Sequence, residues 1–173
     1  MSELITTARD FAFAAHASIG QVRKYTGDDY SVHVEAVARL VCEVTDDEAM
    51  IAAAYLHDTV EDTPTTFDDI ADRFGADVAY LVIYLTDVSK PHDGNRATRK
   101  AKDRAHIARG DARVHTIKLA DLIDNTSTIV EHDPKFAAVY MEEKRLLLPV
   151  LADGHPVLLR RATNIVERWF AGE

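Results

Sequence analysis

The sequence has one cysteine, few prolines and no long apolar run. Because Cys42 has no second cysteine to pair with, an intrachain disulfide framework is excluded. This composition is consistent with a reducing compartment, and we expect a cytoplasmic protein. No apolar run approaches the roughly 20 residues that a membrane-spanning helix requires. The N-terminus shows no basic region followed by an apolar core, so no signal peptide is predicted.

Strand signals and the motifs of several enzyme classes are also absent. Neither strict alternation nor a hairpin signal occurs, and only five prolines interrupt the helical periodicity. Nucleophile elbows and glycine-rich phosphate-binding loops are missing. The 173 residues, 47% of them hydrophobic, suit one domain with a sizeable core. We therefore expect an all-α, compact, single domain over residues 1–173.

Capping signals divide the chain into helices. Thr45 to Glu48 reads as a capping box that opens a helix ending at His57. A second cap at Thr66 opens a short helix that stops near Gly75. Further helices are expected at about 77–87, 96–109, 112–131, 135–150 and 156–171.

Positive charge is scarce overall but concentrated in one segment. The formal net charge of −9 argues against a general nucleic-acid binder. Residues 90–118 nevertheless hold nine Lys or Arg and three Asp or Glu, a net charge of +6. This pattern indicates either a site for a small polyanionic ligand or a solvated helix face, and by itself it leaves both open.

A dense group of ionisable residues follows the apolar run 51–56. Residues 57–63 read His-Asp-Thr-Val-Glu-Asp-Thr. On a helix, residues four apart share a face, so His57 aligns with Glu61. Asp58 aligns with Asp62 in the same way. Burying four such groups without a cation would be costly. The pattern therefore predicts two metal ligands beside two proton acceptors.

Two more candidate ligands occur elsewhere in the chain. His33 lies on an apolar-periodic segment, and Asp121 has apolar neighbours among which a carboxylate needs a partner. With His57 and Asp58 they form a set of two histidines and two carboxylates. Such mixed nitrogen and oxygen ligands suit Mn, Fe, Mg or Zn. A divalent ion held by them could activate water and polarise a phosphoryl oxygen.

Cationic and amide side chains accompany these candidates. Lys118 precedes Asp121 by three residues and Asn125 follows it by four, so all three can face one cleft. Upstream, Arg23 could stack on a base and Lys24 could contact phosphate. A solvated loop is the alternative for that pair.

Taken in order, these pieces resemble the hydrolase domain of the RelA/SpoT family, within the HD superfamily. The resemblance is strongest to the stand-alone small alarmone hydrolases, which include the metazoan SpoT homologues. It covers about residues 9–130 and rests on Ala15-His16, Gly20-Gln21-Val22-Arg23-Lys24, His33, residues 57–63, Lys118-Leu119-Ala120-Asp121 and Asn125. The sequence departs from the family at Val34, where proline is frequent, and at Leu122 and Asp124, where arginine and histidine are frequent.

The resemblance implies an all-α fold and one divalent metal ion, usually Mn²⁺. By motif position the metal ligands are His33, His57, Asp58 and Asp121. The resemblance also implies that Glu61 and Asp62 orient or deprotonate the attacking water. The residues expected to bind substrate are Arg23, stacked on the purine, together with Lys24, Arg99, Lys100, Lys118, Asn125 and Thr128.

The implied activity is hydrolysis of the 3′-pyrophosphate of the guanosine alarmones ppGpp and pppGpp, which yields GDP or GTP and pyrophosphate. The expected partner is a small-molecule nucleotide, with neither nucleic acid nor membrane, and a homodimer is left open. One alternative is another purine nucleotide, such as an adenosine 3′-pyrophosphate or the 2′-phosphate of NADPH. The other is a non-catalytic alarmone sensor, which would have no need of the carboxylates Glu61 and Asp62.

Overall fold

The computed structural model describes residues 2–172, and its regular structure is helical, which confirms the expected all-α class. Within these residues, β-type pairing is confined to one isolated antiparallel bridge between Val22 and Asp29. The chain divides into two compact units, the first ending at Thr86 and the second beginning at Asp87. The single domain expected over residues 1–173 stays a prediction. No helix within residues 2–172 has the length and apolar character needed to cross a membrane.

The first unit is organised around a short apolar helix. Its helices are α1 Glu3–Ser18, α2 Ser31–Cys42, α3 Glu48–Leu56, α4 Thr59–Asp62 and α5 Phe67–Leu85. Every residue of α3 from Met50 onward is buried, and this helix packs against α1, α2 and α5. A helix that is apolar on all sides is stable only when it is covered on all sides. His57 follows directly after α3 and is itself buried.

The cap predicted for the start of α3 is wrong, whereas the helix end predicted at His57 is confirmed, since α3 ends at Leu56. Asp47, not Thr45, caps α3, and its carboxylate accepts hydrogen bonds from the backbone N–H groups of Ala49 and Met50. Aspartate is at least as good an N-cap as threonine, and it starts the helix later. The structure also places His57 and Asp58 between α3 and α4 rather than inside one continuous helix. Both residues keep right-handed helical backbone angles, so the chain continues to turn.

Other local predictions are confirmed. Thr66 and Asp69 form the reciprocal capping box at the start of α5. Gly75 interrupts α5 with φ 86°, in the region that favours glycine, close to where the sequence predicts a helix end.

The second unit is organised around α7. Its helices are α6 Arg96–Ile107, α7 Ala112–His132, α8 Pro134–Leu147 and α9 Pro156–Ala171, with short 3₁₀ helices at Pro91–Asp93 and Leu148–Leu151. Helix α7 packs against both α8 and α9. Gly154 permits close approach here, because a Cβ atom at this position would lie 2.6 Å from Leu119 Cδ1. Most residues of α7 between Val114 and Leu122 are buried, and Asp121 is one of them.

Candidate metal and substrate site

Three of the four predicted metal ligands come together in the first unit. The Nε2 atoms of His33 and His57 are 3.3 Å apart, and they lie 3.5 Å and 3.1 Å from Asp58 Oδ2. Both imidazoles are only 1% exposed. An ion with bonds of about 2.0–2.2 Å and tetrahedral or octahedral angles holds neighbouring ligands about 3–3.5 Å apart. The spacing of these three atoms therefore fits a shared metal ion.

The protonation of His57 supports the same conclusion. His57 Nδ1 lies 2.8 Å from the carbonyl oxygen of Ala54. Because a carbonyl oxygen only accepts, Nδ1 carries the hydrogen, and in the neutral ring Nε2 directs its lone pair at the cluster. Metal-binding histidines are usually oriented by such a hydrogen bond from the other ring nitrogen. Buried nitrogen and carboxylate lone pairs that face one another require a cation, so the donor set fits a divalent metal.

The Asp58 carboxyl is held in its ionised form. Burial by itself raises its pKa, but the positive charge and hydrogen bonds that His57 and His33 supply when protonated hold the pKa well below its usual range. A metal ion would supply the same attraction beside neutral imidazoles. A carboxyl group must be ionised to coordinate a metal. The pocket therefore favours the form of Asp58 that a metal site needs.

Tyr30 is a contributor that sequence reasoning missed. Its hydroxyl donates a hydrogen bond to Asp58 Oδ2 over 2.5 Å. Its ring packs beside the imidazoles of His16 and His33, with centroid distances of 4.7 Å and 5.2 Å. Tyr30 precedes His33 by three residues, and this one-turn spacing is the signal that could have identified it. The hydroxyl orients the carboxylate of a predicted metal ligand.

Tyr30→Phe is expected to weaken metal affinity about 10- to 100-fold, the usual scale for losing a group that orients a metal ligand. The substitution removes only the hydroxyl, so the ring packing remains. The measurement is calorimetric titration of the metal-free protein with Mn²⁺. Tyr25→Phe is the matched control, because Tyr25 lies in the same loop and its hydroxyl contacts Lys24 instead. Equal Mn²⁺ affinity in the Tyr30 and Tyr25 variants would remove Tyr30 from the metal site.

The predicted catalytic carboxylates lie on α4, directly after Asp58. Glu61 is exposed. Asp62 Oδ2 accepts a hydrogen bond of 2.8 Å from the Gln21 amide. The Gln21 carbonyl is in turn 2.7 Å from Nδ1 of the buried His16. The chain His16–Gln21–Asp62 thus fixes one of the two carboxylates, a role that the sequence did not assign to His16 or Gln21.

The environment of Asp62 suits a proton acceptor. Although Asp62 is exposed, partial desolvation raises the pKa of its carboxyl, and the neighbouring negative charge of Asp58 raises it further. A higher pKa makes a carboxylate a stronger base at neutral pH. Burial also lowers the pKa of His16 and so favours its neutral form.

Arg23 and Lys24 lie in the loop between α1 and α2. Backbone hydrogen bonds from Arg23 N to Asp28 O and from Gly27 N to Arg23 O close this loop. Arg23 is only 8% exposed. Stacking on a purine would therefore require one face of its guanidinium to become uncovered. Lys24 is exposed, and its ammonium donates a hydrogen bond to the Tyr25 hydroxyl.

The fourth predicted ligand, Asp121, lies in the second unit on the buried side of α7. Lys118 Nζ is 2.8 Å from Asp121 Oδ2, and Asn125 Nδ2 donates a hydrogen bond of 2.5 Å to Asp121 Oδ1. These contacts follow the three- and four-residue spacing read from the sequence. Thr128 lies on the same helix, and its hydroxyl donates a hydrogen bond to the carbonyl oxygen of Asn125.

Much of the positive charge of segment 90–118 is paired with acidic groups of the same unit. Lys102 binds Asp93, and Arg96 binds Glu143. Arg99 Nη1 donates a hydrogen bond to the carbonyl oxygen of Gly94. Lys100 lies 2.5 Å from Asp87, yet it also lines a small cavity together with Lys118. Several other cations of the segment thus form ion pairs or hydrogen bonds within the unit. The part of the segment that remains a candidate for binding a polyanion is this cavity.

Comparison with known proteins places these residues in a family context. A family model described as an HD domain matches residues 8–153. A solved structure described as a metazoan ortholog of SpoT that hydrolyses ppGpp superposes with a TM-score of 0.85 and 27% identity. That match covers 97% of this chain and 96% of the other. The resemblance proposed from the sequence is thereby confirmed.

Curated relatives agree over most of this chain. A guanosine-3′,5′-bis(diphosphate) 3′-pyrophosphohydrolase of Aquifex aeolicus is 35% identical over 144 residues, which is 83% of this chain and 19% of that protein. A probable enzyme of the same name from Synechocystis is 37% identical over 151 residues, or 85% of this chain and 20% of that protein. The chain thus spans about a fifth of the length of these relatives.

Proposed function

The chain belongs to the HD domain family, and we propose that it is a metal-dependent hydrolase of the 3′-pyrophosphate of ppGpp and pppGpp. The observation that carries the proposal is the convergence of His33, His57 and Asp58 on one point. The guanosine substrate is supported by the names of the relatives, since each of those described hydrolyses, or is named for hydrolysing, this type of nucleotide. In this proposal the only partner is the nucleotide; the cytoplasmic location and a possible homodimer stay predictions.

In the proposed mechanism, a divalent ion, Mn²⁺, would be held by His33, His57, Asp58 and Asp121. When bound, a divalent ion supplies Lewis-acid activation of water and charge stabilisation at the phosphoryl oxygens. Water attacks the phosphorus attached to the ribose 3′ oxygen, and the bond between that phosphorus and that oxygen breaks. Pyrophosphate leaves, the 3′ oxygen gains a proton, and GDP or GTP remains.

Glu61 and Asp62 are proposed to accept the proton of the attacking water. Asp62 is held in place by Gln21, and its raised pKa favours proton acceptance. A side chain that is already oriented needs no reorganisation during the reaction. These two acids are what distinguishes the proposed enzyme from an alarmone sensor, which would only need to bind.

The residues proposed to contact the nucleotide are those expected from the family resemblance. Arg23 would stack on the purine and Lys24 would contact phosphate, while Asn125 and Thr128 would contact the nucleoside. Arg99, Lys100 and Lys118 would bind phosphate groups, with Lys100 and Lys118 supported by their place in the wall of one cavity. A stacking arginine discriminates little between guanine and adenine, so adenosine 3′-pyrophosphates and NADPH belong in the test.

The decisive experiment is a product assay on purified, Mn²⁺-loaded protein. The panel contains ppGpp, pppGpp, the matched adenosine 3′-pyrophosphates and NADPH. We expect pyrophosphate, together with GDP or GTP, from the guanosine compounds. If only NADPH releases orthophosphate, or if only the adenosine compounds release pyrophosphate, then that compound and not ppGpp is the substrate. Tight binding of ppGpp without any product would instead establish a sensor.

A further inference from the structure

The second unit encloses a small cationic cavity that the proposed reaction does not fully use. Its volume is about 50 Å³, enough for a small tetrahedral anion. Four cationic side chains line it, and three carboxylates share the wall: Lys100, Arg104, Lys118 and Lys144, with Asp87, Asp103 and Glu143. The cations come from three different helices, α6, α7 and α8, so only packing of the unit brings them together. Lys144 was not among the residues that the sequence pattern singled out.

The three lysines of the cavity act together on a nearby carboxylate. The Asp87 carboxylate lies in its wall, 2.5 Å from Lys100 Nζ. Burial raises the pKa of Asp87, but attraction to Lys118, Lys100 and Lys144 outweighs it, so the pKa is lowered overall. Three lysines therefore act jointly on one anionic group. A phosphate group carries the same sign of charge and offers more acceptor oxygens than a carboxylate.

Lys144 differs from the other two lysines because no acidic group within residues 2–172 forms an ion pair with its ammonium. Lys100 is bonded to Asp87, and Lys118 to Asp121. The contact found for Lys144 Nζ is with the face of the Tyr140 ring, 4.4 Å from its centroid. The carboxylate of Glu143, its sequence neighbour, instead accepts two hydrogen bonds from Arg96. Among the described residues, the three donors of this ammonium thus find no acidic acceptor.

Lys144 is half-buried, and its surroundings disfavour the charged form of its ammonium. Burial lowers the pKa of Lys144 to about 8, and the like charges of Lys118 and Lys100 lower it too, against the opposing attraction of Asp121 and Glu143. Removing a cation from water without giving it a partner costs free energy. Residues that cost stability in this way are typical of binding sites, where a ligand supplies the missing partner.

We propose that Lys144 is a substrate-binding residue that, with Lys100 and Lys118, forms a site for one phosphate group of the nucleotide. The inference rests on the proposed function for the identity of the substrate. Its link to that function within the second unit is Lys118, which lines the cavity and also contacts Asp121, a proposed metal ligand. The chemistry required of the ligand is a compact anion with several acceptor oxygens.

The test is binding of inorganic pyrophosphate to the full chain in the presence of a chelator, so that no divalent ion bridges the two. We compare the wild type with Lys144→Met, Lys144→Arg and Lys135→Met by calorimetry. Lys135 is the matched control, since it is an exposed lysine on the same helix. Lys144→Met is expected to bind about tenfold or more weakly, the scale of one charge-assisted hydrogen bond. Lys144→Arg is expected to keep most of the affinity, and Lys135→Met all of it.

Urea unfolding of the same variants separates ligand binding from a structural role. Because methionine matches the length of the lysine stem without its charge, Lys144→Met should be as stable as the wild type or more stable. Unchanged pyrophosphate binding in Lys144→Met, an equal loss in Lys135→Met, or no binding by the wild type would each overturn the inference. So would a loss of stability in Lys144→Met that accounts for the weaker binding.

Assaying ppGpp hydrolysis with the same variants shows whether a failure concerns the role of Lys144 or the proposed substrate. If ppGpp is hydrolysed, Lys144→Met should raise KM for ppGpp about tenfold and leave kcat nearly unchanged. The reason is that Lys144 is proposed to bind a phosphate group and takes no part in the proton transfer. If ppGpp is not hydrolysed, the proposed substrate fails, but the pyrophosphate titration still decides the role of Lys144. A change confined to kcat would contradict a binding role.

Discussion

Asp58→Ala is expected to abolish bound divalent metal and hydrolytic activity together. The carboxylate is the shared contact of the other two ligands, with Oδ2 within 3.5 Å of both imidazole Nε2 atoms. Without it, His33 and His57 retain two nitrogens but lose the negative charge that balances the ion. Elemental analysis of the purified variant and pyrophosphate release from ppGpp are the two measurements.

A thermal readout makes this prediction independent of catalysis. A ligand that binds only the folded state raises Tm by mass action. Mn²⁺ should therefore raise Tm of the wild type and leave Tm of Asp58→Ala unchanged. Asp68→Ala is the control, since Asp68 is an exposed acid in the first turn of α5 and should keep both the Tm shift and the activity. Undiminished metal in Asp58→Ala would show that the ligand assignment is wrong.

Glu61→Gln is expected to keep metal and nucleotide affinity but to lose about 10²-fold or more in turnover, the usual scale for a general base. The amide preserves size and hydrogen bonding and removes only the capacity to take a proton. Single-turnover measurements on Mn²⁺-replete protein test this, with metal content and ppGpp affinity determined in parallel. Glu131→Gln, at an exposed position on α7, provides the matched loss of one carboxylate.

Comparing Glu61→Gln with Asp62→Asn shows which of the two acids accepts the proton. The amide oxygen introduced by Asp62→Asn could still accept the hydrogen bond from Gln21, so the side chain should stay in place. A large loss in Asp62→Asn with near-normal turnover in Glu61→Gln would assign the base to Asp62 alone. Near-normal turnover in both variants would rule out the proposed role of these carboxylates.

What the sequence alone determined is local in character. Helix periodicity, the cap at Thr66 and the break at Gly75 depend on hydrogen bonds between residues within a turn or two of each other. The grouping of Lys118, Asp121 and Asn125 depends on the same spacing along one helix. These features could be read directly because the geometry of a helix relates such positions whatever the rest of the chain does.

Tertiary packing decided which distant groups meet. The contacts His33–His57, Tyr30–Asp58 and Gln21–Asp62 join residues 24, 28 and 41 positions apart. No periodicity predicted that His33 and His57 would converge; that expectation came from their residue types and from the family resemblance. The place of Lys144 in the cavity wall and the burial of Arg23 could not be predicted from the sequence. Both depend on how helices and loops cover one another. Side-chain spacing along a helix is fixed by its backbone, whereas the partner of a buried group is chosen by the packing of the whole unit.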